Sequence, residues 1–139
     1  MTKEEELSKY IAQIEQYKEQ INQLEMQSSY IQGAILDYNK AKMTLENLNN
    51  ADKDNDVLIP IGGSTFINAK AADTSKVLFD IGSGIVSEKN YEDAIKKIDE
   101  RIEDLQKTQE SIVSMVQKLQ NEAEEISLKA QKIYQDQKE

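Results

Sequence analysis

Neither cysteine nor histidine occurs anywhere in the 139 residues of this chain. Their absence excludes disulfides, zinc sites of the Cys/His kind and thiol nucleophiles, and it removes the side chain most used as a general base near neutral pH. Most enzyme classes fall with them, and the chain is read as a non-enzyme. Proline occurs once and glycine five times, which argues against a collagen or a low-complexity tail. There is no apolar run of about 18 or more residues, and the first residues, MTKEEELSKY, carry acids where a secretory signal would be basic and then apolar. A cytoplasmic chain with no membrane contact is expected. Positive charge is also short. The 17 basic residues, of which only Arg101 is an arginine, face 26 acidic ones and leave a net charge of −9. That balance opposes binding to a phosphate backbone, so no nucleic acid is expected as a partner.

What is present falls into three blocks of a single domain, 1–139. Residues 3–48 interleave charges and Gln with apolar residues at spacings of three and four, which predicts a long helix ended by the turn formers NNADKDND. Residues 57–88 hold four of the five glycines, Pro60 and both phenylalanines, with short β-branched runs. Gly62-Gly63 and Gly82-Ser83-Gly84 separate those runs as the turns of two successive β-hairpins. Pro60 cannot donate to a ladder and marks an edge or a bulge. Helical periodicity then returns over 90–137. Thr2 with Glu5, and Asn90 with Asp93, have the spacing of helix N-caps.

The helical pattern is a strict heptad. With Leu7 at position a, the first helix places Leu7, Ile14, Ile21, Ser28, Ile35 and Lys42 at a, and Tyr10, Tyr17, Leu24, Ile31, Tyr38 and Leu45 at d. The last helix places Ile95, Ile102, Gln109, Val116, Ala123 and Ala130 at a, and Tyr91, Ile98, Leu105, Ile112, Leu119, Ile126 and Ile133 at d. A seven-residue period without stutters predicts a left-handed coiled coil, each helix roughly 70 Å long. The intervening strands return the chain, so the two helices are expected to pair antiparallel, with both termini together. Pairing Leu7 with Ile133, Ile14 with Ile126 and Leu45 with Ile95 sets Tyr10 opposite Ala130 and Tyr17 opposite Ala123, large against small. Ser28, Lys42 and Gln109 interrupt the seam and are read as register-setting residues. Gly33 falls at an outward position.

The strand segment carries more apolar side chains than two isolated hairpins can bury: Val57, Leu58, Ile59, Ile61, Phe66, Ile67, Val77, Leu78, Phe79, Ile81, Ile85 and Val86. They are read as an oligomer interface, most economically a β-barrel closed with strands of other chains. The fold class expected is therefore mainly α with a small β portion, a long antiparallel two-helix coiled coil joined by two β-hairpins that assemble into an oligomeric platform.

A long helix, then VLIPIGGSTFINAKAADTSKVLFDIGSGIVSEKNYEDAI, then a second long helix resembles the prefoldin family over essentially the whole chain, and two hairpins rather than one resemble its archaeal-type alpha subunit. The VLIPIG strand and turn, the Lys-Val strand ending in IGSG, and the Glu-Lys entry into the second helix carry the resemblance. It implies a hexamer of two alpha-type and four beta-type subunits with coiled-coil arms on a barrel platform. It also implies a chaperone that holds unfolded clients at the arm tips without ATP and passes them to a cytosolic group II chaperonin. A filament-forming paralogue of the gamma type shares the layout. Leu7, Tyr10, Ile14, Ile126 and Ile133, on the seam near the termini, and Ile11, Leu128 and Tyr134, off it, are the candidate client-binding residues. Met26, Tyr30, Val113 and Met115 are off-seam residues mid-arm. Leu36, Met43 and Leu48 are read as packing beneath the platform. No cofactor or metal is expected: Asp52, Asp54 and Asp56 imitate a calcium loop, but Val57 and Gly63 stand where its Gly and Glu belong. Gly82 and Gly84 lack the third glycine of a dinucleotide fingerprint.

Overall fold

The structure is a computed structural model and describes residues 2–51 and 55–138. Its elements run α1 (Lys3–Asn50), β1 (Asp56–Gly62), β2 (Thr65–Lys70), β3 (Lys76–Gly82), β4 (Ile85–Asn90) and α2 (Tyr91–Lys138). In chain order, two antiparallel hairpins thus lie between two long helices. Both helices begin at a side-chain cap. The Glu5 amide donates to Thr2 Oγ1 at 3.2 Å and the Asp93 amide to Asn90 Oδ1 at 2.8 Å, each satisfying one of the amides that a helix start leaves without a partner. Glu4, Glu5 and Glu6 in the first turn suit the positive end of the helix dipole.

The chain divides into two compact units, Met1–Ala34 with Leu105–Glu139, and Ile35–Asp104. Within the first, Gln109 Nε2 donates to Ser28 Oγ at 2.5 Å, and a hydrogen bond joins Tyr17 to Glu122. Within the second, Lys42 Nζ lies 2.8 Å from Asp99 Oδ1 and Arg101 donates to the Tyr38 hydroxyl at 3.2 Å. Low numbers in α1 meet high numbers in α2, so the helices run antiparallel in each unit. Every contact lies within a turn of the register that pairs Leu7 with Ile133. Each seam position named above is buried or half-buried, as a seven-residue period requires.

The hairpins share one geometry. β1 pairs with β2 from Asp56↔Lys70 to Gly62↔Thr65, with a bulge between Pro60 and Gly62; β3 pairs with β4 from Lys76↔Asn90 to Gly82↔Ile85, with a bulge between Asp80 and Gly82. Both turns carry positive φ at their two central residues, Gly63 and Ser64 in one and Ser83 and Gly84 in the other, the pattern that matches strand twist in a two-residue turn. Pro60 sits beside the bulge, in a strand with one partner. The core of the second unit lies where Phe79 of β3 meets Ala94, Ile98 and Ile102 of α2, flanked by Ile35, Tyr38, Leu45 and Val77. Asp52 and Asp54 of the calcium-loop reading lie outside the described residues. Asp56 opens β1 opposite Lys70.

Candidate functional site

Two apolar surfaces stand out, one in each unit. In the first, the segments of α1 and α2 nearest the chain ends hold Leu7, Tyr10, Ile14, Ile126 and Ile133 half-buried in the seam. Ala130 is buried beside them. Ile11, Leu128 and Tyr134 are 52%, 59% and 53% exposed. The heptad accounts for this split: positions a and d close on each other, while e and f cannot. Tyr17, one turn further in, is tied to Glu122, and its hydroxyl is held above the usual tyrosine range by that hydrogen bond, then by burial and by the carboxylates of Glu122 and Glu125.

In the second unit the strand residues divide by face. Opposed residues of an antiparallel pair share a face, so Ile59 and Ile67 lie on one side of the first hairpin while Leu58, Pro60 and Phe66 lie on the other. Leu58, Ile59, Ile61, Phe66, Ile67, Leu78, Ile81, Ile85 and Val86 are all exposed. An apolar surface on both faces of a two-stranded sheet exceeds what a chain alone in water keeps. Three residues depart from the expected interface. Phe79 is only 9% exposed, packed on α2, and Val57 and Val77 are half-buried. Phe79 and Val77 serve the chain's own core, because the small side chain of Ala94 leaves room for a ring against the helix.

Leu36 and Met43 are exposed and Leu48 is half-buried; among the described residues the first two find little cover. A groove of about 460 Å³ runs between α1 and β3, lined by Ala41, Thr44, Leu45, Leu78, Phe79 and Ile98 among others. A second groove of about 330 Å³ in the first unit is floored by Leu24, Ile31 and Ile112 and walled by Tyr30 and Met115. Read singly, Tyr30 and Met115 look like scattered surface residues. Their shared side of the helix pair is what makes a groove, and that could have been found by following the flank positions of both helices together. Among the described residues no helix is long and apolar enough to cross a membrane, and no group of three or more His, Cys, Asp or Glu could hold a metal ion.

Known proteins carry the same arrangement. The sequence model of a family described as "Prefoldin subunit" matches residues 17–136. The chain is 32% identical over 122 residues to the prefoldin subunit alpha of Methanococcus aeolicus, covering 88% of this chain and 83% of the relative. To the prefoldin subunit alpha of Archaeoglobus fulgidus it is 29% identical over 126 residues, 91% and 92% of the two chains. Among solved structures, the cryo-EM structure of filamentous PFD from Methanocaldococcus jannaschii superposes with a TM-score of 0.62 at 26% identity, covering 89% of this chain and 97% of that one. The crystal structure of the prefoldin beta subunit from Thermococcus strain KS-1 shares the fold, with a TM-score of 0.59 at 17% identity over 91% and 90% of the chains. Heptads alone would fit any coiled coil, but capped helices of matched length around two bulged hairpins, together with a family match over most of the residues, do not: the chain belongs to the prefoldin family of chaperones.

Proposed function

We propose that this chain is the alpha-type subunit of a cytoplasmic hetero-hexamer, two alpha and four beta, that holds unfolded polypeptides and passes them to a group II chaperonin. The hairpins would close with those of the other subunits into a β-barrel platform, which covers the apolar faces of β1 to β4 and leaves few strand edges. The observation that carries the holding function is the exposed trio Ile11, Leu128 and Tyr134 beside a seam closed by small residues. Ala123 and Ala130 bury little area, so at roughly 25 cal/mol per Å² the last turns open at low cost and add Leu7, Tyr10, Ile14, Ile126 and Ile133 to the contact surface. Weak apolar contacts of this kind gain affinity when several arms engage one client. No nucleotide enters the scheme, since burial of client surface is itself the driving force, and the chain is not an enzyme.

The test is light scattering after an unfolded client is diluted into the assembled protein. Substituting Ile11, Leu128 and Tyr134 together by Ser should leave assembly intact and abolish suppression of aggregation. Full suppression by the triple variant refutes the proposed binding site.

A filament or scaffold subunit is the second reading, favoured by the filamentous assembly of the 26% identical solved structure. Electron microscopy of the chain without a beta-type partner separates the two: long filaments support the scaffold, discrete particles the hexamer.

A further inference from the structure

The chain's only arginine joins three elements of the second unit. From α2, the Arg101 guanidinium carbon lies 5.7 Å from the centroid of the Tyr38 ring on α1 and 5.6 Å from that of the Phe79 ring on β3, while Nη1 donates to the Tyr38 hydroxyl at 3.2 Å. Phe79 is at the same time the most deeply buried residue of its hairpin, packed with Ala94 and Ile98 of α2 and flanked by the half-buried Val77 of its own strand. Packing of Phe79 and Val77 from one strand, with β4 running directly into α2, resists withdrawal of the hairpin but leaves its tilt about that strand free to vary. A planar cation set against two rings and hydrogen-bonded to one of them removes this freedom, because its orientation is fixed from α1.

We propose that Arg101 is the positioning residue that sets the angle of hairpin β3–β4 against the helix pair. Lysine would not replace it. An ammonium is a strongly hydrated point charge that can approach one ring, whereas the guanidinium presents a face to both and still reaches the hydroxyl. If the hairpin is built into the proposed platform, the same contact sets the direction in which the helices leave it; that last step alone rests on the proposed assembly.

The experiment uses the full chain, whose lack of native cysteine allows spin labels at two introduced sites, Ser83→Cys in the hairpin turn and Asn39→Cys on α1. Distance distributions are compared for the parent, R101K, R101M and Y38F, with hydrogen exchange over residues 76–90 and helical circular dichroism as companions. The parent should give one narrow distance, and Y38F, which keeps the ring but loses the hydrogen bond, one broadened less than in R101K or R101M. R101K and R101M should broaden it and speed exchange of the hairpin amides about fivefold, with helical signal unchanged. Should R101M unfold, the comparison of R101K with the parent decides. A narrow, parent-like distribution and unchanged exchange in R101K would mean that charge alone suffices, and the same in R101M that packing alone does; either result overturns the proposal.

Discussion

Gln109 of α2 donates a hydrogen bond to Ser28 of α1 inside the seam, and its second amide atom, Oε1, is buried without a partner. The layer therefore costs stability, because a half-satisfied buried amide is worse than an apolar one. It also opposes a slip of one heptad, which would set Gln109 and Ser28 each against apolar neighbours. Replacing both by Leu should raise the stability of the helix pair by about 1–3 kcal/mol. The same change should cost uniqueness. Spin labels at the exposed residues Gln20 and Gln120 should show one separation in the parent and, in the double variant, a second and longer one, because a slip of one heptad offsets the two sites by about 10 Å along the helix axis. A single separation in the double variant would show that Tyr10, Tyr17 and their alanine partners set the register without help.

The helix pair should weaken in strong alkali, and two groups say why. The Lys42 ammonium is held above the usual lysine range by its hydrogen bond to Asp99, against a smaller effect of burial. The Tyr17 hydroxyl is held above the tyrosine range chiefly by Glu122. In both cases the folded chain binds the proton more tightly than the unfolded chain, so the stabilisation is complete below the unfolded value, about 10 for each, and is lost as pH rises through the folded one. Thermal melts should thus fall above pH 10 and be flat with respect to these groups at neutrality. Tyr17→Phe and Lys42→Met should each flatten part of that alkaline limb. An unchanged limb in the double variant would assign it to other groups.

The two turns differ in one useful respect. Ser64 and Ser83 both adopt positive φ, at 57° and 53°, a region that non-glycine residues enter at a cost and that Asn tolerates better than Ser. Ser83 precedes Gly84, so Ser83→Asn creates the Asn-Gly pair most favoured in two-residue hairpin turns. It should stabilise the second hairpin by about 0.5 kcal/mol, and Ser83→Val should destabilise it by about 1–2 kcal/mol, since a β-branched residue fits that backbone poorly. Denaturant melts of the full chain read both changes. If Asn and Val behave alike, the turn conformation is not what limits this hairpin.

Much of the fold was legible because it obeys local rules. The seam followed from the heptad, the helix starts from Thr2 and Asn90, and the turns from glycine pairs. What stayed hidden depends on where one element lies against another. The strands repeat at an interval of twenty residues, Val57 with Val77, Leu58 with Leu78, Ile61 with Ile81 and Gly62 with Gly82, yet Ile59 and its counterpart Phe79 have opposite fates. No property of an isolated strand distinguishes them, since both are apolar and each immediately precedes the bulge of its strand. The difference comes from Ala94, whose side chain is fully buried beneath the ring. Arg101 was equally opaque, because a lone basic residue flanking a seam has the pattern of a solvated charge. Only its contact with rings from two other elements separates it from the lysines around it. The residues proposed to bind clients were separable into seam and off-seam positions by heptad alone, which is also how the structure sorts them by exposure.

The repeat gives a prediction in which the chain serves as its own control. Phe79→Ala removes a ring that is only 9% exposed from the cluster on α2, so the expected loss is about 3–4 kcal/mol in the isolated chain. Ile59→Ala at the matching position should cost under about 0.5 kcal/mol there, since Ile59 is 48% exposed and has little cover to lose. Assembly should reverse the second result and spare the first. If hairpin β1–β2 becomes covered by other subunits, Ile59→Ala lowers the stability of the oligomer, whereas Phe79→Ala has the same effect in both states because its neighbours belong to its own chain. Melting each variant alone and after co-expression with a beta-type subunit measures the difference directly. Equal and small effects of Ile59→Ala in both states would show that the first hairpin remains open to water after assembly, and its role as an interface would have to be given up.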